Sequence, residues 1–189
     1  MSLALLAMTE ILNRPYMKIT IKPIGDIDNN ILEKLKERLT QTFGCPVETV
    51  QEDYDLEKAY DSKRKQYLAT KLLSRLKKAG VAKDEKVLGI VDVDLFAPGL
   101  NFIFGQADIP AGVAIISLSR LRQEYYSLLS DGALFLDRAT KEAVHELGHT
   151  FGLEHCSNGK CVMHFSNSLA DTDWKQAAFC SRCRPKLIK

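Results

Sequence analysis

The stretch HELGHTFGLEHC, residues 145–156, holds three of the chain's four histidines. That spacing narrows the folds open to the chain. On a helix, residues four apart share one face about 6 Å apart along the axis, so His145 and His149 aim their rings at one point. Glu146 lies about 100° further round, beside that point but not directed at it. His155 can return to the same point only if the helix stops and the chain turns back. Gly152 is placed to do this, because glycine adopts positive φ without steric cost. The chain must therefore supply a helix, an abrupt glycine turn and an extended return, in that order.

Three imidazoles bind a divalent zinc at about 2.0–2.1 Å each and leave one tetrahedral position open, as a catalytic zinc needs for water and substrate. Glu146 stands where a general base must: close enough to take a proton from zinc-bound water, without occupying a coordination position. A bare His-Glu-x-x-His also occurs on salt-bridged helix surfaces; the added glycine and third histidine at fixed offsets are far more restrictive. His164, the remaining histidine, is expected to pack or hydrogen-bond rather than ligate.

The cysteines form a second pattern. Cys45 stands alone and is read as a small core residue, whereas Cys156, Cys161, Cys180 and Cys183 cluster near the end of the sequence. An oxidised scaffold would spread paired cysteines through the chain. Two short loops, each presenting two thiolates, instead suit a closed structural zinc with sulfurs at about 2.3 Å. Such a site is formally anionic, and Lys160, Arg182 and Arg184 are expected to offset it. Neighbouring side chains of an extended segment point apart, so His155 and Cys156 can serve different metals. The expectation is two zinc ions per chain, one catalytic and one structural.

The rest of the chain reads as α/β. A strand is predicted at about 17–23, then a helix capped by Asp26 or Asp28 and stopped at Gly44, then a short strand in PVETVQ. YDSKRKQYLATKLLSRLKKAG reads as an amphipathic helix with Tyr67, Leu68, Leu72, Leu73 and Leu76 facing in. KVLGIVDVDLF has the unbroken apolar character of a strand covered on both faces. NFIFGQA and GVAIISLS are further strands, LRQEYYSLL is helical or irregular, and a long helix runs from about Asp137 to its close at Gly152. This order favours a single domain with helices on a mostly parallel sheet. Residues 1–16 are expected to be a loose extension, 17–152 the α/β part with the active-site helix, and 153–189 the cysteine-bearing tail. At 189 residues and 46% hydrophobic content the core need not rely on metal. A net charge of +2 offers no nucleic-acid footprint. No apolar run approaches the roughly 20 residues of a membrane span. Glu10 interrupts the apolar start and no basic segment precedes it, so no secretory leader is expected. A cytoplasmic monomer is the corresponding expectation.

The pattern His-Glu-x-x-His-x-x-Gly-x-x-His resembles the signature of the metzincin zinc peptidases. Within them the chain is most similar to the archaemetzincins, which add a cysteine beside the third histidine (Cys156), another five residues on (Cys161), and a late Cys-x-x-Cys (Cys180 and Cys183). The match covers residues 145–183; upstream, only the order of elements and NFIFGQA are compatible with it. The resemblance implies a mixed sheet with helices on both faces and an active-site helix ending at a glycine. It also implies a small C-terminal subdomain stabilised by the four-cysteine zinc, and a methionine turn at Met163. It implies hydrolysis of peptide bonds, with endo- or aminopeptidase action left open. Metzincin substrates pair with an edge strand above the zinc, which makes Asn101, Phe102, Ile103 and Phe104 the candidate substrate strand. The astacin branch carries a tyrosine two residues after the turn methionine. Phe165 stands there in this chain, so oxyanion help must come from elsewhere, with His164, Asn167 and Ser168 as candidates. The alternative function is a non-catalytic zinc protein that binds peptides or protein partners in the same groove; such a binder has no need of Glu146. A four-cysteine nucleic-acid module is disfavoured by the few aromatics of the tail and the near-neutral charge.

Overall fold

The computed structural model describes residues 17–188; the expected loose extension at 1–16 lies outside them. Four segments become parallel strands: β1 (Lys18–Pro23), β2 (Val47–Thr49), β5 (Glu85–Val91) and β8 (Val113–Ser117), of which β5 and β8 are the most apolar. A further strand, β7 (Gly105–Asp108), joins β8 antiparallel, giving a five-stranded sheet of order β2-β1-β5-β8-β7 with β7 at one edge. The sheet is thus mixed.

Helices cover both faces, as alternation along the strands requires. On one face Ile19, Ile21, Leu88, Ile90 and Ile116 meet Leu35 and Leu39 of α1 (Asn29–Phe43) and Ala143, Val144 and Leu147 of α3 (Gly132–Thr150). On the other, Val87, Val91, Val113 and Ile115 meet Leu72, Leu73 and Leu76 of α2 (Ala69–Lys78). Asp28 is the residue that caps α1, accepting from the Asn30 N–H at 2.8 Å, and Gly44 ends it.

Three expectations are corrected. The helix expected across 60–80 begins only at Ala69. Before it, β3 (Tyr60–Asp61) and β4 (Gln66–Leu68) form a hairpin whose turn is fixed by the Asp61 carboxylate, which accepts from the N–H groups of Lys63 and Arg64 at 3.0 and 3.1 Å. The apolar run KVLGIVDVDLF is divided: β5 ends at Val91, and β6 (Leu95–Phe96) pairs with β4 in a separate three-stranded sheet of order β3-β4-β6. Finally, α3 starts at Gly132, before the expected Asp137, because Asp131 caps it through the Leu134 N–H at 2.9 Å. The segment LRQEYYSLL is irregular, with short 3₁₀ turns at Ser119–Leu121 and Glu124–Tyr126. No helix among the described residues is long and apolar enough to cross a membrane.

A last helix, α4 (Leu169–Trp174), had no counterpart in the sequence reading; Ser168 and Asp171 close a capping box at its start. Arg138 of α3 locks it in place, donating from Nε and Nη2 to the two Asp173 oxygens at 2.6 Å each and from Nη1 to the Leu121 carbonyl at 3.1 Å. Asp173→Ala leaves a buried guanidinium with one carbonyl. We expect a loss of about 2–3 kcal/mol, less than for a fully buried pair because the Asp173 side chain is 37% exposed. Urea denaturation of the variant checks this.

Candidate functional site

Helix α3 packs along the sheet, and its buried face carries the histidines. The Nε2 atoms of His145 and His149 are 3.1 Å apart. Each ring is oriented from behind: His145 Nδ1 lies 2.7 Å from the Val162 carbonyl, and His149 Nδ1 lies 2.7 Å from the Leu153 carbonyl. A carbonyl oxygen can only accept, so each Nδ1 carries the proton and each Nε2 offers a lone pair. Two lone pairs held this close repel unless a cation shares them. For zinc–nitrogen bonds of about 2.0–2.1 Å a tetrahedral edge is about 3.3–3.4 Å, near the observed separation. His155 completes the group, its donor atom within 4.8 Å of the other two. Burial pushes all three imidazoles below their ordinary pKa, helped at His145 by the Lys175 ammonium and at His155 by His149. They are therefore held in the neutral, metal-binding form. The residues fit zinc.

The glycine turn does more than reverse the chain. Gly152 takes φ +83°, and the Leu153 N–H closes back on the Gly148 carbonyl at 3.1 Å. This places the Leu153 carbonyl under His149. From there the tail passes beneath the helix: Cys156 N–H donates to the Met163 carbonyl at 2.9 Å, and Val162 N–H to Ala178 at 3.0 Å. Met163 is fully buried.

Two glycines that sequence reasoning did not single out permit this packing. A Cβ on Gly148 would collide with Met163 Sδ and come within 3.2 Å of the Phe179 ring. A Cβ on Gly105 would lie 2.5 Å from Glu146 Cγ and 2.8 Å from the Ile115 carbonyl, so β7 crosses directly over Glu146. The available signals were a glycine in a helix interior, which costs about 1 kcal/mol against alanine, and a glycine breaking a strand pattern.

Glu146 is almost fully buried yet lines two adjoining cavities. One, of about 300 Å³, extends past His149 and His155 along β7 to Ile109. The other, of about 220 Å³, descends beside the earlier turn of α3. In the chain alone, burial first and the Glu142 carboxylate second push Glu146 up to about 8, against the pull of Lys175. A divalent cation at the histidines is an opposite charge that lowers it again.

The candidate substrate strand shifts. Asn101, Phe102, Ile103 and Phe104 precede the edge strand, which is formed by Gly105–Asp108. The Asn101 carbonyl is held by Arg64 Nη2 and Gln66 Nε2, both at 2.9 Å, and Ile103 bridges back to Leu95, which draws Asn101–Ile103 toward the second sheet, while the Phe104 carbonyl still accepts from the Ser117 N–H of β8 at 2.8 Å. The four residues instead form a wall of the smaller cavity. Phe165 packs on His155 with ring centroids 4.8 Å apart. Of the oxyanion candidates, His164 is tied through Nδ1 to the Cys156 carbonyl at 2.9 Å and Ser168 caps α4, while Asn167 lines the smaller cavity.

The four clustered cysteines also converge, all sulfurs within 4.8 Å of one another. Cys156 and Cys180 Sγ are 3.8 Å apart, too far for a disulfide of about 2.05 Å. That distance matches the tetrahedral edge of about 3.8 Å for zinc–sulfur bonds of about 2.3 Å. Burial raises Cys161 and Cys183; at Cys180 it is outweighed by the N–H groups of Cys183 and Arg182 and by neighbouring thiols, which bring it to about 6. Of the three cations expected here only Arg182 serves, with Nη2 3.6 Å from Cys156 Sγ. Lys160 sits over the Trp174 ring and Arg184 donates to the Thr42 carbonyl. Cys45 is half-buried against the core.

Comparison with known proteins gives concordant results. Residues 25–189 match the family model of Peptidase family M54. An archaemetzincin from Pyrococcus furiosus is 46% identical over 177 residues, covering 89% of this chain and 91% of the relative. One from Methanocaldococcus jannaschii is 41% identical over 171 residues, covering 90% and 93%. Among solved structures, a zinc-dependent peptidase from Methanocorpusculum labreanum aligns with TM-score 0.82 and 32% identity, over 89% of this chain and 99% of that one. The archaemetzincin from Methanopyrus kandleri aligns with TM-score 0.80 and 38% identity, over 93% and 96%.

The contact between Gly148 and Met163 is directly testable. Gly148→Ala forces the turn and helix apart, which we expect to lower stability by about 1–3 kcal/mol. Bound zinc, measured by metal analysis, should fall with it. Unchanged thermal unfolding and metal content would show that the approach is not required.

Proposed function

The chain belongs to peptidase family M54, the archaemetzincins, and is a zinc metallopeptidase; on that premise we propose that it cleaves internal peptide bonds with Glu146 as general base. In this reading His145, His149 and His155 hold the catalytic zinc, Cys156, Cys161, Cys180 and Cys183 hold a structural one, and the whole forms a single domain. The observation that carries the reading is the arrangement at the junction of the two cavities. Two imidazoles fixed in one tautomer face each other across 3.1 Å, and a carboxylate without hydrogen-bond partners among the described residues stands beside them.

The zinc, when bound, supplies a Lewis acid that polarises the scissile carbonyl and makes water acidic enough to react near neutral pH. Glu146 accepts the proton of the attacking water and delivers it to the departing amine nitrogen. Its position under β7, allowed by Gly105, keeps its carboxylate at the reacting bond. The outer edge of β7 is free of strand partners among the described residues, so a substrate backbone can extend the sheet there. Asn167 is the side-chain donor proposed for the oxyanion. Cavities on both sides of the histidines leave room for substrate residues before and after the cut, which favours internal cleavage.

The closed zinc is proposed to hold the open one. Cys156 follows His155 directly and its N–H binds the Met163 carbonyl, so the thiolate cluster fixes the third histidine and the turn beneath it.

Three results are expected. Glu146→Gln retains two zincs per chain by metal analysis but loses about 10²–10⁴-fold in kcat; cleavage at the parent rate would exclude Glu146 as the base. Cys180→Ser, having lost the sulfur-bound zinc, also loses occupancy of the histidine site. Full occupancy and activity in that variant would mean the two sites are independent. An N-acetylated peptide is cut internally as fast as its free-amine counterpart; a requirement for the free amine would indicate aminopeptidase action.

A further inference from the structure

One carboxylate facing the cleft has no part in this mechanism. Glu142 lies one helical turn before His145 and Glu146 on α3 and is 3% exposed. Its Oε1 is engaged: Thr172 Oγ1 donates to it at 3.0 Å, and the fully buried Lys175 Nζ lies 3.0 Å away. The lysine contact is an ion pair whose direction falls short of a hydrogen bond. No group among the described residues bonds Oε2. That oxygen is not among the sealed unpartnered atoms of the interior, and Glu142 lines the 220 Å³ cavity.

The cavity's shape and chemistry suit one kind of guest. Its volume is below the about 300–1,000 Å³ of a site for a whole small molecule, and corresponds to a single long side chain. Leu100, Phe102, Phe104 and Phe165 give it apolar walls, and Glu142 is the acidic side chain that lines it on the α3 side, one turn before Glu146. An aliphatic stem with a cationic tip satisfies both: methylenes against the walls and a charge-assisted hydrogen bond to Oε2.

The position along the substrate follows from β7. Antiparallel pairing is the more stable ladder. A peptide so paired runs from the Asp108 end toward Gly105, passing His149 and His155 before it reaches the cavity of Glu142. The guest is then the side chain immediately after the scissile bond.

We propose that Glu142 is a specificity determinant that selects lysine or arginine at the residue following the cut, with Lys175 and Thr172 as positioning residues that fix its carboxylate. This rests on the peptidase reading above and names its substrate class.

The test uses N-acetylated peptides identical except for lysine, arginine, norleucine or glutamate after the cut. Two quantities are measured with the zinc-loaded full chain: kcat/KM for the parent enzyme, and binding by fluorescence anisotropy to Glu146→Gln. Lysine and arginine should exceed norleucine by about tenfold or more in both, with glutamate weakest. Glu142→Gln should bring the lysine-to-norleucine ratio near one. Glu142→Gln combined with Lys175→Met keeps the buried pair neutral should the single variant fail to fold, and should show the same loss. A parent enzyme that treats norleucine or glutamate like lysine, or a Glu142→Gln protein that keeps the preference, overturns the proposal. Glu146-dependent cleavage without charge preference would sink this inference and leave the peptidase reading intact. Glu142-dependent lysine binding without cleavage would sink the peptidase reading and leave this inference standing.

Discussion

Two backbone carbonyls, those of Val162 and Leu153, take the Nδ1 protons of His145 and His149, and the rest of the site depends on that exchange. It fixes the tautomer, turns both Nε2 lone pairs toward one point and prevents either ring from rotating away. The carbonyls come from different parts of the chain. Leu153 is delivered by the Gly152 turn, and Val162 by the segment that hydrogen-bonds Ala178 near the second cysteine pair. A helix that needs orienting acceptors on its open side thus dictates both where it must stop and what the tail must do next.

Close approach is the second constraint, and it acts on α3 from opposite directions. Gly105 brings the edge strand down onto Glu146, and Gly148 lets Met163 rise against the helix from below. Side chains in close-packed interiors transmit small displacements. With no methyl on either glycine, the base and the ligands are held between sheet and tail with little room to shift.

What was legible in the sequence was local. The i, i+4 histidines, the glycine stop and the paired cysteines each encode their geometry within a few residues, and each group meets as its spacing required. The segment at 60–68 was misread because Tyr67 and Leu68 extend the apolar period of α2. Their strand character depends on pairing with Leu95 and Phe96, far off in sequence. The same holds for Asn101–Phe104: alternation suggested a strand, but Arg64 and Gln66 reach across from the second sheet and draw Asn101–Ile103 toward it. Lys160 and Arg184 sat near the thiolates in sequence and found Trp174 and Thr42 in space. Gly105 and Gly148 were silent because their reason is the atom that would have struck them.

Lys175 was the least readable residue, since lysine is almost never fully buried unless paired. Packing alone does not call for its burial. Replacing a buried ion pair by apolar side chains of similar volume is often neutral or stabilising, so Glu142, Thr172 and Lys175 offer the core nothing that leucines could not. What apolar residues cannot do is hold one carboxylate oxygen while leaving the other open. The Arg138–Asp173 bridge fixes α4, α4 fixes Thr172 and ends at Lys175, and these two fix Glu142. The short helix that sequence patterning passed over therefore has a defined physical role: it carries the groups that aim a charge into the cleft.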